Sequence, residues 1–245
     1  MSLIKLNEAL SKKVDKLKFS EPVTHVYNPL DYARSAVHQY LSKFGQGKKR
    51  VLFLGMNPGP FGMAQTGVPF GEVAAVKDWL KISGDILKPK DEHPSRPITG
   101  FDCHRSEVSG QRIWALFKDK FGNPDNFFKD HFVWNYCPLL FNEIGVSDKG
   151  RKICRNVTPD KIKADELKPL YEICDKALIA LVDLLKPQFL VGVGAFAENC
   201  FKRVLPEREK NIYRILHPSP ASPVANRGFA PAATKQLIEA GIWQV

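Results

Sequence analysis

Two short segments near opposite ends of the chain, Gly55-Met56-Asn57-Pro58-Gly59-Pro60 and His217-Pro218-Ser219-Pro220, hold the residues whose types could do chemistry. Each follows an apolar run, Val51-Leu52-Phe53-Leu54 or Ile212-Tyr213-Arg214-Ile215-Leu216, that reads as a buried β-strand. Each stops its strand with Pro and Gly or Ser. A further strand, Phe132-Val133-Trp134-Asn135-Tyr136, is halted by Cys137-Pro138. Two amides, Asn57 and Asn135, and one imidazole, His217, therefore stand at three strand tips. In a parallel α/β sheet such tips share one crevice, whatever their separation in sequence. Singly, each has an ordinary explanation: Asn57 can cap the turn before Pro58, His217 can be a satisfied polar residue, and Asn135 can bond to backbone. Together, in a basic protein, they predict a pocket.

The loop between the first strand and residue 71 carries Gly59, Gly62, Gly67 and Gly71 with Pro58, Pro60 and Pro69. So many special-backbone residues predict a rigid loop that lets a ligand approach the main chain. Around it the pattern predicts a basic helix over 5–19, a helix from Leu30 to Phe44, a strand over 51–55 and a helix from Glu72 to Leu80. A long polar loop over 83–108 and a helix from Ser109 to Phe121 follow, and residues 141–165 read as irregular and basic. Glu166–Leu185 reads as a helix, Phe189–Val193 as a strand, 195–204 as a helix, and a last helix falls within Pro231–Gly241. Strands alternating with crossover-length helices predict an α/β fold with a mostly parallel sheet of about four strands, helix-covered on both faces. With no repeat or linker, residues 1–245 read as one domain.

At 245 residues and 44% hydrophobic, the chain can bury a full core. The excess of 36 basic over 26 acidic residues gives a net charge of +10. That excess points to an anionic partner such as nucleic acid or a membrane surface, or to a solubilising surface alone. No apolar run approaches the length of a membrane span, and the charged start does not read as a secretory signal. The scattered cysteines Cys103, Cys137, Cys154, Cys174 and Cys200 form no CxxC pair, against a zinc ribbon, an iron–sulfur cluster and a disulfide framework. Reduced thiols in an intracellular protein are expected. Gly192-Val193-Gly194-Ala195-Phe196-Ala197 fits a dinucleotide fingerprint, but it follows the third strand and lacks the acidic residue that ends the next one. Tight strand–helix contact is the preferred explanation. No GxxxxGK[ST], HExxH or GxSxG pattern is present.

The segment Gly55-Met-Asn-Pro-Gly-Pro-Phe-Gly-Met-Ala-Gln-Thr-Gly-Val-Pro-Phe-Gly71, then Asn135-Tyr-Cys-Pro138, then His217-Pro-Ser-Pro220, resembles the single-strand-selective monofunctional uracil-DNA glycosylases. These belong to the uracil-DNA glycosylase superfamily, whose fold is a three-layer α/β/α sandwich. The resemblance implies hydrolysis of the N-glycosidic bond of uracil, and of 5-hydroxymethyluracil, in single- and double-stranded DNA. An abasic site is left. It implies that Asn57 positions the attacking water, since an amide cannot take a proton at neutral pH. His217 matches the donor to uracil O2, a contact worth about 3–4 kcal/mol in a desolvated site. Asn135 matches the reader of uracil N3–H and O4, and cytosine presents the opposite pattern there. Phe70 matches the aromatic that stacks on the flipped base, for roughly 1–3 kcal/mol. Main chain around Met56 and Gly59 would line the pocket near O2 and C5, the small residue leaving room for a 5-substituent.

Pro218–Phe229 aligns with the wedge loop that fills the vacated stack, which makes Pro220, Ala221, Ser222 and Arg227 candidate DNA contacts. Vertebrate members carry a basic residue soon after HPSP where this chain has Ala221, and Arg227 could take over backbone contact. Lys149, Arg151, Lys152 and Arg155 are expected to meet phosphates. No cofactor, metal or membrane contact is expected, and the protein should act as a monomer in bacterial cytoplasm or, in a eukaryote, the nucleus. The rivals are a sister branch, the mismatch-directed uracil/thymine glycosylases, and a catalytically idle nucleic-acid-binding protein. The first usually ends in Asn-Pro-Ser rather than HPSP.

Overall fold

The computed structural model describes residues 1–146 and 152–244. In chain order its strands are β1 (His25–Tyr27), β2 (Val51–Gly55), β3 (His131–Asn135), β4 (Leu140–Val146), β5 (Lys152–Val157), β6 (Phe189–Val193) and β7 (Ile212–Ile215). Its helices are α1 (Leu3–Val14), α2 (Pro29–Tyr32), α3 (Arg34–Phe44), α4 (Met63–Thr66), α5 (Val108–Phe121), α6 (Pro124–Asp130), α7 (Ala164–Leu185), α8 (Ala195–Val204) and α9 (Pro223–Glu239).

The central sheet is parallel, in the order β3-β2-β6-β7. Every residue of β2 and β3 is buried, as a strand covered on both faces requires. On one face Phe53 meets Phe117 of α5 at 5.1 Å between ring centroids and Phe127 of α6 at 6.3 Å. On the other, Tyr40 of α3 lies 5.3 Å from Phe132 and donates its hydroxyl to Val133 O at 2.8 Å. The backbone of α8 also rides on that face over Gly192, where a methyl group would come 2.4 Å from Glu198 N. The first glycine of the 192–197 motif is thus explained by close strand–helix packing. The expected three layers and four parallel strands are present.

A second, antiparallel sheet of order β1-β4-β5 corrects the irregular reading of 141–165. The reason is physical. Leu140, Phe141 and Asn142 are buried, but beyond them β4 alternates with solvent and β5 is rich in charge. A half-buried hairpin of that composition lacks the apolar run that marks a central strand.

Other boundaries also shift. The single helix expected over 30–44 breaks at Ala33 (φ −101°, ψ 24°) into α2 and α3, and the first helix stops at Val14. In the Glu72–Leu80 segment, Leu80 N–H reaches back to Ala75 O, so the turn is π-type. The last helix begins at Pro223, eight residues before its expected start at Pro231, and kinks at Gly228. A proline inside a helical pattern reads as a start, which hid the first half.

Candidate active site

The pairing of β2 and β3 runs on past their ends: Tyr136 N–H donates to Gly55 O at 2.9 Å and Cys137 N–H to Met56 O at 2.8 Å. Both tips therefore emerge together at one edge. A cleft of about 400 Å³ opens there, and its wall includes Met56, Asn57, Gly59, Phe70 and His217. Asn57 Nδ2 points to Leu139 O and Pro58 O, both at 3.4 Å. That orientation leaves the amide oxygen as the group available to hold a water.

His217 arrives from the tip of β7. Its Nδ1 accepts Ser219 N–H at 3.1 Å, which assigns the proton of the neutral ring to Nε2. Burial lowers the pKa of the imidazole below its ordinary value, favouring that neutral form. The ring rests on Gly194, where a methyl group would lie 3.1 Å from His217 Cβ. Gly194 has φ +88°, a left-handed conformation suited to glycine. The second glycine of the 192–197 motif thus seats the imidazole.

Phe70, 7% exposed, sits with its ring centroid 6.4 Å from that of His217. Its backbone is held at φ +52° while its carbonyl accepts Trp114 Nε1–H at 3.0 Å and Glu72 N–H at 2.7 Å. A bulky residue at positive φ is uncommon and marks a position fixed by its surroundings. Asn135 is 5% exposed, and its Nδ2 meets Met63 Sδ at 3.1 Å. It does not line this cleft but a neighbouring pocket shared with Met63 and Pro138. Gly55 joins the two: a methyl group there would fall 2.2 Å from Asn135 Oδ1 and 2.6 Å from Phe70 Cε2.

Residues 42–240 match the family model described as the uracil DNA glycosylase superfamily. The single-strand selective monofunctional uracil-DNA glycosylase of Rattus norvegicus is 48% identical over 235 residues, covering 95% of this chain and 82% of that one. The proteins of the same description from Mus musculus and Bos taurus are 47% and 46% identical, with 95% of this chain and 81% and 84% of theirs covered. The chain belongs to this glycosylase family. The solved structure of wild-type SMUG2 from Pedobacter heparinus superposes with a TM-score of 0.66 over 96% of each chain at 18% identity, a likeness of fold.

The other expected contacts of this glycosylase scatter more widely. Pro220 lies on the cleft wall, and exposed Ala221 follows it. Ser222 caps α9, its Oγ accepting Ala225 N–H at 3.3 Å, and Arg227 is exposed on the first half of that helix. Arg155 lies on β5 and donates to Val146 O at 3.0 Å. Lys149 and Arg151 lie outside the described residues, as does the side chain of Lys152. Sequence reasoning missed Phe61, Ser106, Glu107, Ser109, Asn156 and Thr158 on the cleft wall. The last two come with the unforeseen second sheet. Ser106 and Glu107 end a loop whose polar composition gave no sign of a fixed place. No helix among the described residues is long and apolar enough to cross a membrane.

Proposed function

We propose that the cleft receives a uracil turned out of DNA and that the chain hydrolyses its N-glycosidic bond. One observation carries this reading. Asn57, Phe70 and His217 line a single cleft, with the imidazole held in the tautomer that presents Nε2–H. The C1′–N1 bond breaks with its electron pair passing to the base, and negative charge collects on O2. His217 donates a hydrogen bond to that oxygen. A neutral imidazole does this without giving up its proton, and burial resists formation of the imidazolium. Water held by Asn57 then adds to the cation-like sugar carbon and loses its second proton to solvent, leaving an abasic site.

Phe70 stacks on the base, and Asn135, whose Oδ1 lies beside that ring across Gly55, is assigned N3–H and O4, which requires the base to reach past the cleft wall as it stands. Cytosine offers an acceptor and a donor in reversed places, so it would leave buried groups unpaired. No lysine stands on the cleft wall among the described residues, which favours water over an amine as nucleophile. This accords with a monofunctional glycosylase of DNA base-excision repair. The proposal extends to 5-hydroxymethyluracil, to single and double strands, and to a monomeric enzyme in bacterial cytoplasm or a nucleus. Lys149, Arg151, Lys152, Arg155 and Arg227 supply phosphate contacts, with Pro220, Ala221 and Ser222 at the vacated stack.

The test uses end-labelled oligonucleotides holding one uracil, single-stranded or opposite G or A, in EDTA. Strand scission at uracil only after alkali is expected, with no Schiff base trapped by borohydride. Charge reversal at Lys149, Arg151, Lys152 and Arg155 should lower the slope of binding against salt. Intact oligonucleotides after alkali would refute the reading.

A further inference from the structure

Asn7 is a polar residue on an apolar stripe. It lies on the buried side of α1 with Leu3, Leu6, Leu10 and Val14, and is 1% exposed. Both of its amide atoms, Nδ2 and Oδ1, are closed off from solvent and have no hydrogen-bond partner among the described residues. A buried polar group left unmatched is costly, and native structures keep few of them. Leucine at this position would continue the stripe, so the amide weakens the seat of α1 unless something else engages it. The chemistry above makes no use of it.

What Asn7 shares with the site is a cavity. It lines the same small pocket as Asn135, together with Tyr40, Met63, Trp134 and Pro138. The pocket's volume of about 10 Å³ is close to the least that holds one water molecule. Buried waters typically make about three hydrogen bonds, and the two amides supply that number: Asn7 Oδ1, Asn7 Nδ2 and Asn135 Nδ2. Asn135 Nδ2 is turned to Met63 Sδ at 3.1 Å, and a thioether is a weak acceptor. We propose that Asn7 holds one water in this cavity and, through it, fixes the amide of Asn135, which makes Asn7 a positioning residue for the group that reads the base. The water accepts an N–H from each amide and donates to Asn7 Oδ1. It takes the Asn135 Nδ2 hydrogen that points at the sulfur, and the second Nδ2 hydrogen is left for uracil O4. Turning the Asn135 amide over would set its oxygen against the sulfur and the lone pairs of that water. Oδ1 is thereby kept beside Gly55 and Phe70, as the reading of N3–H requires. The proposal rests on the cleft being the uracil site.

The experiment is a double-mutant cycle on single-turnover excision of uracil from a single-stranded oligonucleotide, using wild type, Asn7→Leu, Asn135→Ala and the pair. Asn7→Leu should lower the wild-type rate about tenfold, as misplacement of a binding group does. Beside Asn135→Ala it should change the rate by less than about twofold, because Asn7 acts only through that amide. The melting temperature of Asn7→Leu should hold or rise, since leucine suits the stripe. Asn7→Ser, which keeps a hydroxyl to hold the water, should fall between wild type and Asn7→Leu in rate, and it serves for the cycle if Asn7→Leu does not fold. High-resolution diffraction from crystals of the wild type should show ordered density within hydrogen-bond distance of both amides. A wild-type rate in Asn7→Leu, equal fold losses in the two backgrounds, or no such density in wild type overturns the proposal. Wild type that leaves uracil itself untouched would instead refute the reading of the cleft.

Discussion

Arg112 on α5 donates from Nη1 to Pro218 O at 3.0 Å, so the helix and the turn that carries His217 are tied together. The same guanidinium reaches Ser219 O at 3.4 Å and Asn226 Oδ1 at 2.9 Å. Asn226 returns a bond to Pro220 O at 2.8 Å. Ser219 is the residue whose N–H fixes the His217 tautomer. The guanidinium thus contacts the residue next to His217, the ring proposed to face the leaving base.

Replacing Arg112 by alanine should lower kcat/KM for uracil excision about ten- to a hundredfold, because a small displacement of a catalytic group costs rate out of proportion to stability. The melting temperature should move little, since Arg112 is only half-buried. Lysine should not rescue, having a point charge where the structure uses a fork. Thermal unfolding beside single-turnover kinetics separates the two effects. A wild-type rate in Arg112→Ala would remove the residue from any positioning role.

Asn57 and His217 should fail differently. His217→Ala removes the donor proposed for uracil O2 and should cost about a hundred- to a thousandfold in the excision step. Binding of uracil-containing DNA should stay close to wild type. Asn57→Ala should slow the same step by losing water placement while preserving the pH profile, since an amide does not titrate. Because burial lowers the His217 pKa below the ordinary histidine value near 6.5, the neutral donor should persist through neutral pH. Activity should be lost only as pH falls beneath that range. Rapid-quench assays of both variants across pH check these outcomes.

The parts of the fold legible in the sequence are those whose signal is local. The apolar runs Val51–Gly55 and Phe189–Val193 are central strands with those bounds, and Ala195–Val204 is a helix as its pattern predicts. The ends of Val51–Gly55 and of β7 gave the cleft with Asn57 and His217 because a parallel sheet gathers such ends. The second sheet was hidden because β4 pairs with β1, more than a hundred residues earlier, and β5 pairs with β4, so neither carries an apolar run of its own. Glu107 was illegible for the same reason. Nothing in Ser106-Glu107-Val108 tells that its carboxyl will be folded onto Gly59, a contact made only when α5 packs on the sheet.

Gly194 is the next point of leverage. At φ +88° alanine is strained, and its methyl would crowd His217 Cβ at 3.1 Å and Cδ2 at 3.2 Å. Gly194→Ala should therefore destabilise by about 1–2 kcal/mol and depress excision by shifting the imidazole. Chemical denaturation gives the first quantity and single-turnover rates the second. Loss of stability with the rate preserved would show that the ring does not depend on this seat.

His131, 3% exposed at the start of β3, gives the fold a pH dependence remote from the site. Its Nε2 accepts Trp243 Nε1–H at 3.1 Å, so the neutral ring holds its proton on Nδ1, which donates to Phe127 O at 3.0 Å. An imidazolium would set its second N–H against that of Trp243. Burial, the largest influence, brings the pKa down to about 4. The unfolded chain takes up this proton near pH 6.5 and the folded one only near 4, so the unfolded state binds more protons between them. The stabilisation is complete above about 6.5 and is lost as pH falls through the folded value, by about 3 kcal/mol over the interval. Replacing His131 with phenylalanine should keep the aromatic contacts to Phe127 and Trp243 and remove the titration. Urea unfolding at pH values across that window should then show a shallower decline for the variant than for wild type. Parallel declines would assign the acid sensitivity to other groups.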